Sequence, residues 1–140
     1  MEKMNGNPQW DAMFDVSGKV VVLTGGAGVL CSAMARCLGA RVAVLDLHAH
    51  HAEQLAAEIC AGGGEAFGVG ANVLDKASLE AAAAQVMARF GRVDALINGA
   101  GGNRAEGTTQ PGERSFFDLP PDAMQWVFDL NFVGSVLASQ

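Results

Sequence analysis

Residues 20–31 read Val20-Val21-Val22-Leu23-Thr24-Gly25-Gly26-Ala27-Gly28-Val29-Leu30-Cys31, an apolar run, three glycines within four positions, then a second apolar start. Val20–Leu23 shows no alternation of polar and apolar side chains, which is the pattern of a strand buried on both faces. Residues 29–38 are rich in Ala, Leu and Met and suit a helix of roughly 15 Å at about 1.5 Å per residue. Such a helix just spans a five-residue strand at about 3.3 Å per residue. The glycines between them permit a tight turn, and they let backbone N–H groups approach an anion that the helix dipole also attracts.

Working outward, the same alternation recurs. Arg41–Leu45, Ala66–Ala71 and Val93–Ile97 are further short apolar runs bounded by Gly or Asn. Residues 50–61 form a helical segment with Leu55, Ile59 and Cys60 toward one side. Lys76–Phe90 carries Leu79, Ala82, Ala83, Val86, Met87 and Phe90 at the spacing of one helical face. Asp75 can cap its start and Gly91 can close its end. Burial of its Leu, Val, Met and Phe contributes on the order of 1.5–3 kcal/mol each. Strand–helix alternation with short links predicts right-handed βαβ units, a parallel sheet and an α/β fold of the doubly wound Rossmann type. Gly99–Leu119 is a long, polar, Gly-rich loop, and loops of that length usually serve function. Pro121 suits the first position of a last helix that runs through Trp126 and Asn131. The expected organisation is a polar leader over residues 1–17 and one incomplete domain over 18–140, ending in the helix after the fourth strand.

A net charge of −6 argues against nucleic acid or an anionic membrane, both of which demand a basic face. No stretch approaches the length of an apolar membrane span. Residues 1–17 hold no apolar core of a signal peptide. Cys31, Cys37 and Cys60, odd in number and in apolar contexts, read as reduced, small core residues of a cytoplasmic protein.

Asp46 closes the second strand, 21 positions after Gly25. There a carboxylate can accept hydrogen bonds from ribose hydroxyls, and with the glycines and the βαβ frame it points to dinucleotide binding. Taken alone, the glycines fit an ordinary strand–helix turn and Asp46 a solvated strand end. Leu47 supplies no cation for a 2′-phosphate, so the expected cofactor is NAD and not NADP. Asn72-Val73 and Asn98-Gly99-Ala100-Gly101 follow the third and fourth strands, at the edge where open α/β sheets bind ligands; simple turn chemistry also accounts for either. Asn98 is placed to bond neighbouring loop backbone, while Gly99 and Gly101 leave room for a ribose. The candidate cofactor contacts are Thr24, Gly25, Gly26, Gly28, Val29, Leu30, Asp46, Leu47, Asn72, Val73, Asn98, Gly99, Ala100 and Gly101.

With these motifs the sequence resembles the short-chain dehydrogenases/reductases, from about Phe14 to Gln140. Gly25, Gly26 and Gly28 match that family's cofactor turn, Asp46 its ribose-binding acid, and Asn98–Gly101 its Asn-Asn-Ala-Gly element. Asn131, in Phe128-Asp129-Leu130-Asn131-Phe132-Val133-Gly134, falls at the family's catalytic Asn, whose backbone holds a water in a proton relay. Val29-Leu30-Cys31, Asn98–Asn103 and Phe116-Phe117-Asp118-Leu119 resemble the subgroup of D-mannonate oxidoreductases or fructuronate reductases. The resemblance implies hydride transfer between NAD and a hydroxyl or carbonyl substrate, here a sugar acid. It also implies a small-molecule partner and a homo-oligomeric complete protein.

Four departures stand out. Cys31 replaces the third glycine, which predicts slightly wider packing of helix on strand. Asn72 stands where the family has an adenine-binding Asp. The first helix is about one turn short. The family's Ser and Tyr-x-x-x-Lys are missing: the sequence has no Tyr, and no Lys follows Lys76. This 140-residue chain is therefore expected to be inactive alone and poorly soluble or associated, with the missing residues encoded downstream. A non-catalytic dinucleotide-binding module, a sugar-nucleotide epimerase relative and an interaction protein using the last apolar helix remain alternatives.

His48, His50 and His51 cluster, but no carboxylate-rich partner motif accompanies them, so no metal is expected. Cys31 and Cys37 lack Cys-x-x-Cys spacing and read as packing residues. Met124, Trp126 and Phe128 read as helix packing. Asp118 and Asp122 lie in exposed-looking surroundings where an acid/base role is unforced.

Overall fold

The computed structural model describes residue 13 and residues 15–140. The leader expected over residues 1–17 therefore lies largely outside the described residues.

Four parallel strands, β1 (Val20–Thr24), β2 (Arg41–Asp46), β3 (Glu65–Gly70) and β4 (Ala95–Asn98), form one sheet in the order β3-β2-β1-β4. Helices α1 (Val29–Cys37) and α2 (Ala49–Ala61) link β1 to β2 and β2 to β3; α3 (Lys76–Phe90) returns the chain to β4. The two faces of the sheet carry separate cores. Val21, Leu23, Val42 and Val44 pack with Cys31 and Ala35 of α1 and with Ala52, Leu55 and Ile59 of α2. Val20, Val22, Ala43, Leu45 and Val69 pack with Ala82, Val86 and Phe90 of α3. β1 is buried at every position, because it lies between two neighbours and under helices on both sides. The expected doubly wound α/β architecture is thus present.

Strand order reverses beside β1: the chain moves outward through β2 and β3, then crosses to place β4 on β1's other side. Carboxyl ends of β1 and β4 diverge there and open a crevice. Gly68 keeps α2 close to β3, since a Cβ at that position would overlap the backbone of Ala52 and Glu53.

Several boundaries and faces differ from expectation. β4 spans Ala95–Asn98, where Val93–Ile97 was expected; the Asp94 N–H already bonds the Val20 carbonyl at 2.9 Å, but Val93 lies outside the ladder. On α3 only Ala82, Val86 and Phe90 are buried, at a spacing of four. Leu79 and Ala83 instead border a cavity of about 130 Å³ with Val93 and Leu96, and Met87 is half exposed. The cause is β4, an edge strand among the described residues, which leaves one flank of α3 without a sheet beneath it. Cysteine burial also departs from the reading: Cys31 is buried, but Cys37 and Cys60 are exposed. Cys60 sits one position past the buried Ala52/Leu55/Ala56/Ile59 stripe, about 100° around the helix, though its thiol still donates to the Ala66 carbonyl.

After β4 the loop contains short 3-10 turns at Ala105–Gly107 and Phe116–Asp118, then α4 (Pro121–Phe128). A π turn over Asp129–Val133 joins α4 to α5 (Gly134–Ser139). No helix among the described residues is long and apolar enough to cross a membrane.

Candidate functional site

The crevice at the carboxyl ends of β1 and β4 is a hollow of about 270 Å³ lined by Thr24, Gly25, Gly28, Leu45, Asp46, Leu47, Ala71, Asn72, Val73, Gly99, Ala100, Gly101 and Leu130. Ten of these were expected from sequence. Leu45 and Ala71, each directly preceding an expected residue at a strand end, and Leu130, beside Asn131, were not. A larger hollow, about 540 Å³, lies at the opposite edge near Gly39 and Gly62. There the carboxyl ends of α1 and α2 present carbonyl oxygens, the wrong polarity for a phosphate.

The β1–α1 turn is shaped almost entirely by backbone. Gly25 has φ +58°, and a Cβ on it would lie 2.7 Å from Ala100 Cα. Gly26 donates to the Leu45 carbonyl at 2.9 Å, and a Cβ there would meet Val44 Cγ1 at 2.7 Å. Gly28 occupies the N-cap of α1 and supplies no side-chain cap, with no acidic residue in the first turn. The first N–H groups of α1 therefore have no side-chain partner and lie at the positive end of the helix dipole, next to Gly28 in the crevice wall. Val29 and Leu30 follow with side chains 88% and 78% exposed.

Asp46, at the end of the neighbouring strand β2, sits against this turn. Its carboxylate accepts from the Ala27 N–H at 3.2 Å and from the His48 N–H at 3.1 Å, joining the glycine turn to the end of β2. Asn72 forms an Asx turn, its Oδ1 accepting from the Leu74 N–H at 3.0 Å, while its own N–H donates to Ser78 Oγ. Cys31 is buried beneath the turn; burial, with a further push from the Asp46 charge, raises its thiol pKa, so it stays protonated at neutral pH.

The loop after β4 is held by distant side chains. Thr24 Oγ1 accepts from the Ala100 N–H at 3.2 Å. Asn131 Oδ1 accepts from the Gly102 N–H at 3.2 Å, and its Nδ2 donates to the Gly102 carbonyl at 2.8 Å and the Val127 carbonyl at 2.7 Å. The Asn131 main-chain carbonyl accepts from Ser135 Oγ at 2.9 Å. The expectation for Asn98 is corrected: its Nδ2 donates to Ser139 Oγ at 3.0 Å and not to loop backbone. Side chains alternate along a strand, and position 98 faces the side that α5 covers. Arg104 lies over the Trp126 ring at 4.5 Å. Asp118 accepts from the Ser115 hydroxyl and N–H, and these bonds hold its carboxyl below the usual range. It caps a 3-10 turn as an ionised acceptor. Among the described residues no three His, Cys, Asp or Glu side chains converge as metal ligands.

A family model of the short chain dehydrogenases matches residues 19–140. The chain belongs to that family. It is 47% identical over 136 residues to an uncharacterized oxidoreductase of Bacillus subtilis, UxuB, covering 90% of this chain and 49% of that one. Among solved structures, a proposed D-mannonate oxidoreductase from Haemophilus influenzae with bound NAD superposes with TM-score 0.82 at 35% identity, over 94% of this chain and 51% of that one. An NAD+-bound xylitol dehydrogenase superposes with TM-score 0.77 at 28% identity, over 89% of this chain and 46% of that one. The dehydrogenase-type chain described here thus spans about half the length of the curated relatives it matches.

Proposed function

We propose that this chain is the NAD-binding half of an oxidoreductase that moves hydride between NAD(H) and a hydroxyl or carbonyl group of a small molecule, a sugar acid by its relatives. The observation that carries this reading is the crevice itself. An uncapped helix N-terminus behind Gly25, Gly26 and Gly28, and the Asp46 carboxylate bonded to the same turn, face the loop after β4. A pyrophosphate fits the first and ribose hydroxyls the second. When bound, the nicotinamide supplies the hydride chemistry.

The residues of this chain would bind and orient. The N–H groups of Val29 and Leu30 would hold the pyrophosphate, and the small residues Gly99, Ala100 and Gly101 would admit a ribose. Asn72 and Val73 would border the adenine, with the Asn72 amide in place of the family's Asp. Leu47 beside Asp46 offers no cation, so a 2′-phosphate would meet a carboxylate without relief. Asn131 would hold the loop after β4 through Gly102, with its main-chain carbonyl at the relay position. No tyrosine exists in this sequence to donate a proton to a substrate oxygen, so the chain by itself is expected to bind NAD without turning over a sugar acid.

Calorimetric titration with NAD and NADP tests the reading. NAD is expected to bind at least about tenfold more tightly, the equivalent of about 1.4 kcal/mol, and Asp46→Ala is expected to erase that preference. Tighter NADP binding, or an unchanged preference in Asp46→Ala, overturns it. Oxidation of NADH with fructuronate by the sequence-verified 140-residue chain would overturn the division of labour.

A further inference from the structure

Gly99 is a glycine without a backbone reason to be one. Its φ lies outside the left-handed region, unlike that of Gly25. What excludes a side chain is a neighbour: a Cβ at position 99 would overlap Cys31 Sγ outright, and would lie 2.9 Å from the Thr24 carbonyl oxygen and 3.6 Å from Cys31 Cβ. The sulfur is the severe obstacle; the Thr24 carbonyl oxygen is a second, smaller one that remains when the sulfur is removed, and Cys31 Cβ is at ordinary contact distance.

Cys31 cannot readily yield. Its side chain is 4% exposed, packed in the α1 core with Leu23 and Ala35. Its thiol points at the Thr24 carbonyl at 3.9 Å, and helical backbone restricts the alternative χ1 rotamers. The Thr24 carbonyl also accepts from the Gly99 N–H at 3.2 Å. Thr24, Cys31 and Gly99 therefore meet at the root of the crevice, where the β1–α1 turn touches the loop after β4.

We propose that Cys31 and Gly99 are a matched steric pair that sets the spacing between the glycine turn and the β4 loop. The sulfur fills the volume a side chain at position 99 would need, and the missing Cβ lets α1 pack close to β4 despite carrying Cys31. Both are positioning residues. If the pair is pushed apart, Ala100 and Gly101 move away from Gly25 and the crevice widens at its base. The widening expected from Cys31 alone is thereby absorbed at position 99.

A double-variant cycle in the full chain tests this, read by thermal melting and by titration with NAD. Cys31→Ala keeps the helix and removes only the sulfur. Gly99→Ala in the Cys31 background is expected to lower the melting temperature by several degrees and weaken NAD binding about tenfold, a coupling in the range for contacting residues. In the Cys31→Ala background, the same substitution is expected to lower the melting temperature distinctly less, since only the Thr24 carbonyl contact remains. Should Gly99→Ala fail to accumulate as folded protein, the double variant is expected to restore it. Equal losses in both backgrounds, no loss in either, or failure of the double variant to fold while Cys31→Ala folds would overturn the pairing. The melting series decides the matter even if NAD does not bind, so failure of the pairing and failure of the proposed function remain separable.

Discussion

The glycine turn after β1 and the loop after β4 face each other across one crevice, yet they hold their shapes by opposite means. The turn needs absent side chains: the Ala100 backbone at Gly25 and the Val44 side chain at Gly26 each come within 2.7 Å of where a Cβ would sit. The loop needs present ones: Asn131 reaches back 29 positions to Gly102, and Thr24 reaches forward 76 to Ala100. A turn of the first kind fails when anything is added, and a loop of the second kind loosens when something is removed. The contrast extends to hydrogen bonding: the N-terminus of α1 just past the turn has no side-chain cap, while the loop's backbone is bonded to side chains.

The largest expected effect comes from adding one methyl group in each region. Gly25→Ala forces an L-residue to φ +58° and drives Cβ into the Ala100 backbone, so NAD affinity is expected to fall about a hundredfold, or about 2.7 kcal/mol. Gly112, in the loop, has φ +81° but open space around it. Gly112→Ala is expected to cost about 1–2 kcal/mol of stability and leave NAD affinity unchanged. Calorimetry and thermal melting of the two variants check the pair; equal losses of affinity would erase the contrast.

Removing a side chain should act the other way round. Asn131→Ala deletes three hydrogen bonds to Gly102 and Val127, and a loss of about 1–3 kcal/mol is expected. Hydrogen exchange should quicken at Gly102 and in the loop behind it while the amides of the β1–α1 turn keep their protection. Unchanged exchange at Gly102 would show that the loop does not depend on Asn131.

A smaller effect lies at the opposite end of the same strand pair. Asp94 accepts from the Val20 N–H at 2.8 Å and pairs with Arg92. The Val20 N–H is the main cause holding its carboxyl below the usual range, with Arg92 helping. A folded-state pKa below the unfolded one means that the contribution is fully present above about pH 3.9 and is lost as pH falls through the folded value. Wild type should therefore be more stable than Asp94→Asn at pH 7, with the difference shrinking only below about pH 4. A difference constant down to pH 2 on acid titration of the two melting curves would exclude this linkage.

Legibility followed the same division. Strand identity, the glycine turn and Asp46 were readable because each is local: an unalternating Val/Leu run, glycines where the chain must turn, an acid at a strand end. Leu45, Ala71 and Leu130 carry no such mark, because an apolar residue lining a crevice looks like any other. The partner of Asn98 was misread because the strand's facing toward α5 is not a local property. The faces of α3 were read too broadly, since periodicity shows which residues share a side but not how far the sheet extends beneath them.

From sequence alone came the alternation of strand and helix, the glycine turn and the family, because backbone conformation and hydrophobic period are written residue by residue. Only the tertiary structure decided what Asn131, Thr24, Cys31 and Gly99 do. Apart from the local bonds of Asn131 to Val127 and Ser135, their partners lie between 7 and 76 positions away, and the long-range matches exist only once βαβ crossovers bring the strand ends together.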